Sequence, residues 1–163
     1  MASQILIDIL AYGHVLSAMG WLGGGILLSF VLVPNLRNLA PAAALEFNAK
    51  VLPKVIRFMQ TVVASTLLFG ILLFYVVSDQ LRPDQTNEIY AGMGLALVAA
   101  VIAFVVVLPS LGKVVKLAGE ALKSGQPPSP EMMKRAKRAG MGSLIAAALL
   151  LIVLVMMIAS GFS

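Results

Sequence analysis

The sequence predicts an all-α polytopic membrane protein, a single integral membrane domain over 1–163 built as a four-transmembrane-helix bundle of two tandem hairpins. Three observations predict it. Hydrophobic residues make up 60% of the 163 residues and charged ones 12%, against roughly 25% charged in soluble domains. Four uncharged runs, 9–36, 58–78, 89–112 and 139–163, are each at least 21 residues long, and a helix needs about 20 apolar residues to cross a bilayer. Eleven of the twelve lysines and arginines fall between runs one and two or between runs three and four. Loops one and three of a four-span protein share a side, and cytoplasmic loops collect Lys and Arg. The expected topology in the cytoplasmic (plasma) membrane therefore has both chain ends outside, together with the loop holding Asp79, Arg82, Asp84 and Glu88.

The first span is expected over about 4–33, ending where Pro34 and Asn35 break the pattern. It carries Asp8 in place of a basic leader, so it reads as a retained span and not a cleaved signal. Over 41–53, Leu45, Val51 and Leu52 alternate with Glu46, Asn48 and Lys50, the pattern of an amphipathic helix lying on the inner membrane surface. The second span (55–78) ends near Tyr75 and the third (89–112) opens on Tyr90, which places both tyrosines in the outer interfacial belt. Pro109 bends or interrupts a helix that continues as the amphipathic segment 111–123. After a turn over 124–130, Pro130 and Glu131 suit the first turn of the last helix, whose span covers 139–161. The tandem-hairpin reading rests on the likeness of Phe30-Val-Leu-Val-Pro-Asn-Leu36 to Phe104-Val-Val-Val-Leu-Pro-Ser-Leu111, with two spans between the copies and hence one shared orientation.

Composition narrows the chemistry. The net charge of +5 comes from residues that flank spans without interleaved aromatics, which points to lipid headgroups and away from nucleic acid. The absence of cysteine excludes disulfides, thiolate-bound zinc, iron–sulfur clusters and c-type haem attachment. No Ser–His–acid set and no phosphate-binding glycine loop is present, and a single histidine cannot form a transbilayer proton relay. A cofactor-binding or accessory protein is favoured over an enzyme or transporter.

The most specific segment is Tyr12-Gly-His-Val-Leu-Ser-Ala-Met-Gly-Trp-Leu-Gly-Gly-Gly25. Helical spacing places His14, Ser17, Trp21, Gly24 and Leu28 on one face. His14 lies roughly ten residues, or about 15 Å, from the helix start, a depth at which an ionisable group is a functional candidate facing the bundle. The competing reading is a neutral histidine donating to Ser17, a threonine or a carbonyl of a neighbouring helix. Gly20 and Gly24 form a G-x-x-x-G pair that fits close helix packing, or else leaves room for a flat cofactor. Trp21 is too deep for an interfacial belt and reads as a packing wedge or a cofactor platform. Residues expected in the outer layer with His14 are Phe74, Tyr75, Met93, Leu97, Met156 and Met157. Imidazole with thioether sulfur is a ligand set for copper(I) or b-type haem, so the metal-ligand candidates are His14, Met93, Met156 and Met157, and the cofactor-binding candidates His14, Trp21 and Gly24. Gln60, Thr61, Ser65 and Thr66 form a polar stripe expected to bond between helices.

With these residues in view, the chain resembles the membrane domain of the copper resistance protein D family (CopD-like). The resemblance lies in a histidine shortly before a Trp-x-Gly-Gly segment, here His14 and Trp21-Leu-Gly-Gly24, and in a second span entered through Arg57-Phe58 with Gly70 further along. It implies copper handling at the outer face of a cytoplasmic membrane, with His14 as the matching position. The chain is also similar to HemJ-type protoporphyrinogen oxidases in its first-span histidine, which implies a haem or porphyrin site there. Three readings follow: a copper- or haem-binding protein or accessory subunit of a metal-dependent membrane complex, with a membrane-protein partner or a second copy of itself; a porphyrin oxidase; and a purely structural subunit without cofactor.

Overall fold

The computed structural model describes residues 3–36, 38–81 and 83–162, with side chains left out for 83–85 and 160–162. Arg37 and Arg82 lie outside the described residues, as do the side chains of Asp84 and Gln85. Four long helices make the fold: α1 (Gln4–Leu36), α2 (Pro41–Gln80), α3 (Thr86–Ser124) and α4 (Pro130–Phe162). Each is long and apolar enough to cross a membrane, the arrangement of a multi-pass membrane protein. Large apolar side chains are exposed along every helix, among them Leu16, Phe30, Leu68, Val105 and Val155. Helices apolar on all sides, with only a minority of each span buried, are solvated by lipid.

Three of the four helices run through a proline that the sequence reads as a stop or bend. Ahead of Pro34, Pro53 and Pro109 the backbone widens into a π-helical turn over Leu27–Leu32, Phe47–Val51 and Ala103–Val107. In each case the residue preceding the proline donates its amide five residues back: Val33 to Leu28, Leu52 to Phe47 and Leu108 to Ala103. A proline ring clashes with the carbonyl four residues earlier and offers it no N–H. One widened turn relieves that clash and lets the helix continue. The first helix thus reaches Leu36 and does not end at Val33, and 41–53 is not a separate helix but the first part of a continuous α2. The similar Phe30 and Phe104 segments share this geometry, yet Pro53 shows it without their sequence, so proline alone accounts for it.

The helices pair as two hairpins, α1 with α2 and α3 with α4. At mid-height Trp21 and Leu28 of α1, Met59 and Val63 of α2, Ala99 and Ala100 of α3 and Ala146 of α4 form one buried cluster. Small residues set the closeness of α3 and α4: a side chain at Gly142 would meet Val107 at 2.9 Å, and one at Gly92 would meet the methyl of Met157 at 3.0 Å. A second cluster closes the end where the basic residues gather. There Leu45 and Leu52 of α2 pack on Val114, Ala118 and Ala121 of α3 and on Met132 of α4. The two amphipathic stretches therefore cover each other's apolar faces, and 41–52 does not lie flat on lipid as its periodicity alone suggests; of its expected apolar face only Val51 is exposed. Gly125, in the left-handed region at φ 65°, ends α3 while Gln126 donates back to Ala121 at 3.1 Å. Ser129 caps α4 by accepting from the Met132 amide at 3.2 Å. Spin labels at Ala42 and Ala43 should be mobile and one at Leu45 immobilised and shielded from both water and lipid; lipid exposure at Leu45 would break this packing arrangement.

At the opposite end, the Phe74 and Tyr90 rings stack tilted with centroids 5.1 Å apart, joining the ends of α2 and α3. Tyr75 is 81% exposed and Tyr90 also faces out, the placement of a membrane-interface aromatic belt.

Candidate functional site

The expected seam of α1 exists. Ser17, Trp21 and Leu28 are buried, and His14 and Gly24 are half-buried on the same face. Its partner is α2, and the contacts are made through glycines. A side chain at Gly13 would strike the Phe69 ring at 2.9 Å, one at Gly20 would meet Val62 at 3.0 Å, and one at Gly24 would meet the Met59 sulfur at 2.7 Å. From the other side, Gly70 of α2 leaves the recess that holds His14; a side chain there would lie 2.8 Å from the imidazole Cε1 and 2.9 Å from Nδ1.

Seated on Gly70, the His14 ring reaches one turn along α2, where Nδ1 lies 3.0 Å from the Thr66 carbonyl oxygen. Thr66 and Gly70 are four residues apart and so share a helix face. A carbonyl only accepts, so Nδ1 carries the proton and donates. In the neutral ring this leaves Nε2 as the nitrogen with a free lone pair. Metal-bound histidines are held in the same way, with the non-ligating nitrogen donating to a carbonyl or carboxylate. Ser17 is not a partner of the imidazole: its hydroxyl donates to the carbonyls of Gly13, at 2.6 Å, and of His14.

The methionines expected beside His14 belong to the other hairpin. Met157 packs on Gly92 in the α3–α4 hairpin, whereas His14 belongs to the α1–α2 hairpin. Met93 and Met156 are half-buried on α3 and α4. Trp21, 3% exposed, is a wedge among all four helices. Beside it is a void of about 30 Å³ lined by Met59, Val63, Ala146 and Ala147 among others, room for one water-sized probe in apolar surroundings. The polar stripe of α2 does not bond between helices through its hydroxyls, since Thr61 and Thr66 each donate to their own helix, at Arg57 and Val62. A serine or threonine in an apolar helix satisfies itself most cheaply on the carbonyl four residues back. The interhelical bond is made instead by the Thr66 backbone. The Thr66 carbonyl is the neighbouring-helix carbonyl that the second reading of His14 expects, and the Gly70 recess that seats the ring is the part a search for polar side chains misses.

Two ligand questions can be put to these residues. A flat macrocycle does not fit against α1 at Gly20 and Gly24, because Val62, Phe58 and Met59 fill those recesses. A single soft metal ion does fit the donor chemistry of Nε2, as one ligand of a set. Among the described residues no three His, Cys, Asp or Glu side chains gather into a metal-binding group. No family model, curated protein or solved structure matches the chain.

Proposed function

We propose that this is a CopD-like membrane subunit in which His14 supplies one imidazole ligand to copper(I), with the remaining ligands coming from a membrane-protein partner or a second copy of the chain. The observation that carries this reading is the Nδ1 hydrogen bond to Thr66, which fixes the tautomer that leaves Nε2 bare on a half-buried ring. The positions that carry the family resemblance also support it, because they pack in pairs. His14 rests on Gly70, and a side chain at Gly24 would meet the Phe58 ring at 3.6 Å. Copper is preferred to haem because the glycine recesses beside His14 are filled. The test is metal analysis and visible absorbance of protein purified gently from its native membrane. Copper without a Soret band is expected; haem, or neither, would refute the reading.

A structural reading is favoured by one specific observation, the fit of the ring into the Gly70 recess. In it, His14 is only a clamp between α1 and α2 and the protein is an assembly subunit without a cofactor. Partner-free protein that lacks metal but still supports its complex would select it.

The basic end, residues 34–57 and 113–138, is assigned to the cytoplasm and both termini to the outside of the plasma membrane, on the eleven-to-one division of lysine and arginine. Cysteines at Gln80 and Gln126 should be labelled from opposite faces of intact cells, Gln80→Cys from outside. Labelling of both from outside would reject the topology.

A further inference from the structure

A void walled by residues of every helix lies at the basic end. It has a volume of about 570 Å³ and runs from Leu28, Ser29 and Ser143 at its deep end to Met133 and Lys137 at its mouth. That volume falls within the roughly 300–1,000 Å³ of small-ligand sites. Its wall is mainly apolar, but it contains polar groups with unused capacity. The Ser29 hydroxyl is buried and bonds to nothing among the described residues. Asn48, only 8% exposed, spends one amide hydrogen on the Ala44 carbonyl at 2.8 Å and has a second to give. Both groups sit in the widened turns ahead of Pro34 and Pro53, a backbone feature frequent at binding sites. Lys137 stands at the rim and also borders a shallower groove of about 390 Å³, flanked by Lys134 and Arg138.

An apolar interior with two underused polar groups that can each donate, Ser29 and Asn48, and a lysine at the mouth suits an acceptor-rich anionic amphiphile. We propose that this cavity binds one anionic glycerophospholipid from the leaflet at the basic end, with the phosphate at Lys137, ester oxygens accepting from Ser29 and Asn48, and a tail along the apolar wall. The two grooves that meet at Lys137 give a tail a course on either side of the phosphate, which suits a two-chained lipid. Unpaired donors in an apolar wall are costly, and ester and phosphate oxygens offset that cost where a plain hydrocarbon chain does not.

The test is native mass spectrometry of the full chain released from nanodiscs of equimolar phosphatidylglycerol and phosphatidylcholine. Wild-type protein should retain one phosphatidylglycerol in preference to phosphatidylcholine. Lys137→Gln should reduce that preference by about fivefold, the worth of one cation near an anionic headgroup. Gly140→Leu, where a Cβ has only Val33 at 3.9 Å to meet, should fill the cavity and release both lipids, and Ala44→Leu serves if that variant does not fold. Equal retention of the two lipids by wild-type protein, or unchanged retention in the filled and Lys137→Gln variants, would overturn the proposal. Displacement by inorganic phosphate alone would overturn it too, by showing an anion site that needs no tail.

Discussion

His14→Asn should lose copper and keep its fold, whereas His14→Ala should lose copper and weaken the α1–α2 hairpin. The two nitrogens of the ring do different work. Nδ1 clamps α1 to the Thr66 carbonyl at 3.0 Å, and an asparagine amide places an N–H close to the same point, so the clamp survives. Nε2 is the proposed ligand, and a carboxamide is too hard and too short to replace it at a soft ion. An alanine makes neither contact. Hydrogen bonds between helices in a bilayer are worth roughly 0.6 kcal/mol on average and at most about 1.7, so the stability difference between the two variants should fall in that range. The loss of copper should be complete in both. Retention of wild-type copper by His14→Asn would remove Nε2 from the site. A wild-type protein without copper, whose two variants differ only in stability, would leave the clamp as the whole role of His14.

Much of the fold was legible because it rests on signals that add along a single helix. Lysine and arginine placement separated the spans, and the positions from His14 to Leu28 declared one face by spacing alone. Prolines misled. A rule that stops a helix at Pro34 or Pro53 treats the missing N–H as final, whereas one widened turn ahead of each proline absorbs it and lets the helix continue. The amphipathic segments were legible as amphipathic but not as mutual partners. A face made by Leu45 and Leu52 fits lipid or the face of another helix equally well, and only the tertiary fold brings Val114 and Ala118 to it. The site suffered from the same limit. A carbonyl of a neighbouring helix is among the partners His14 is expected to find, but which carbonyl it is, and the glycine recess that seats the ring, depend on how α1 and α2 align, and no side chain announces them. The basic-end cavity was invisible in the sequence, because its wall draws Ser29, Asn48, Leu111 and Lys137 from four different helices.

Alanine replacements of the seam glycines should not rank as a G-x-x-x-G motif predicts. On motif grounds Gly20 and Gly24 are the sensitive pair. In the structure the severest cases are Gly70→Ala and Gly13→Ala, because each new methyl meets a ring at 2.8 to 3.0 Å. Those rings have little freedom: Phe69 is half-buried, and His14 is tied to Thr66 at its own Nδ1. Overpacking of this kind costs about 1–3 kcal/mol. Gly20→Ala meets the branched Val62 at 3.0 Å and should fall at the lower end. Gly24→Ala comes closest of all, 2.7 Å from the Met59 sulfur, but a thioether chain has three torsions with which to move aside, so its cost should be smaller than that of Gly70→Ala. Gly23→Ala and Gly25→Ala meet nothing within 4 Å and should be neutral or stabilising by up to about 1 kcal/mol, through the helix preference of alanine over glycine. Unfolding of the six variants in micelles or bicelles would give the order directly. Gly70→Ala carries a second readout, since a displaced imidazole loses the Thr66 bond and with it the fixed direction of Nε2; its copper affinity should fall while that of Gly25→Ala stays at the wild-type value. Equal destabilisation at all six positions, or a maximum at Gly20 and Gly24 with Gly70→Ala unchanged, would show that His14 does not occupy the Gly70 recess in the membrane.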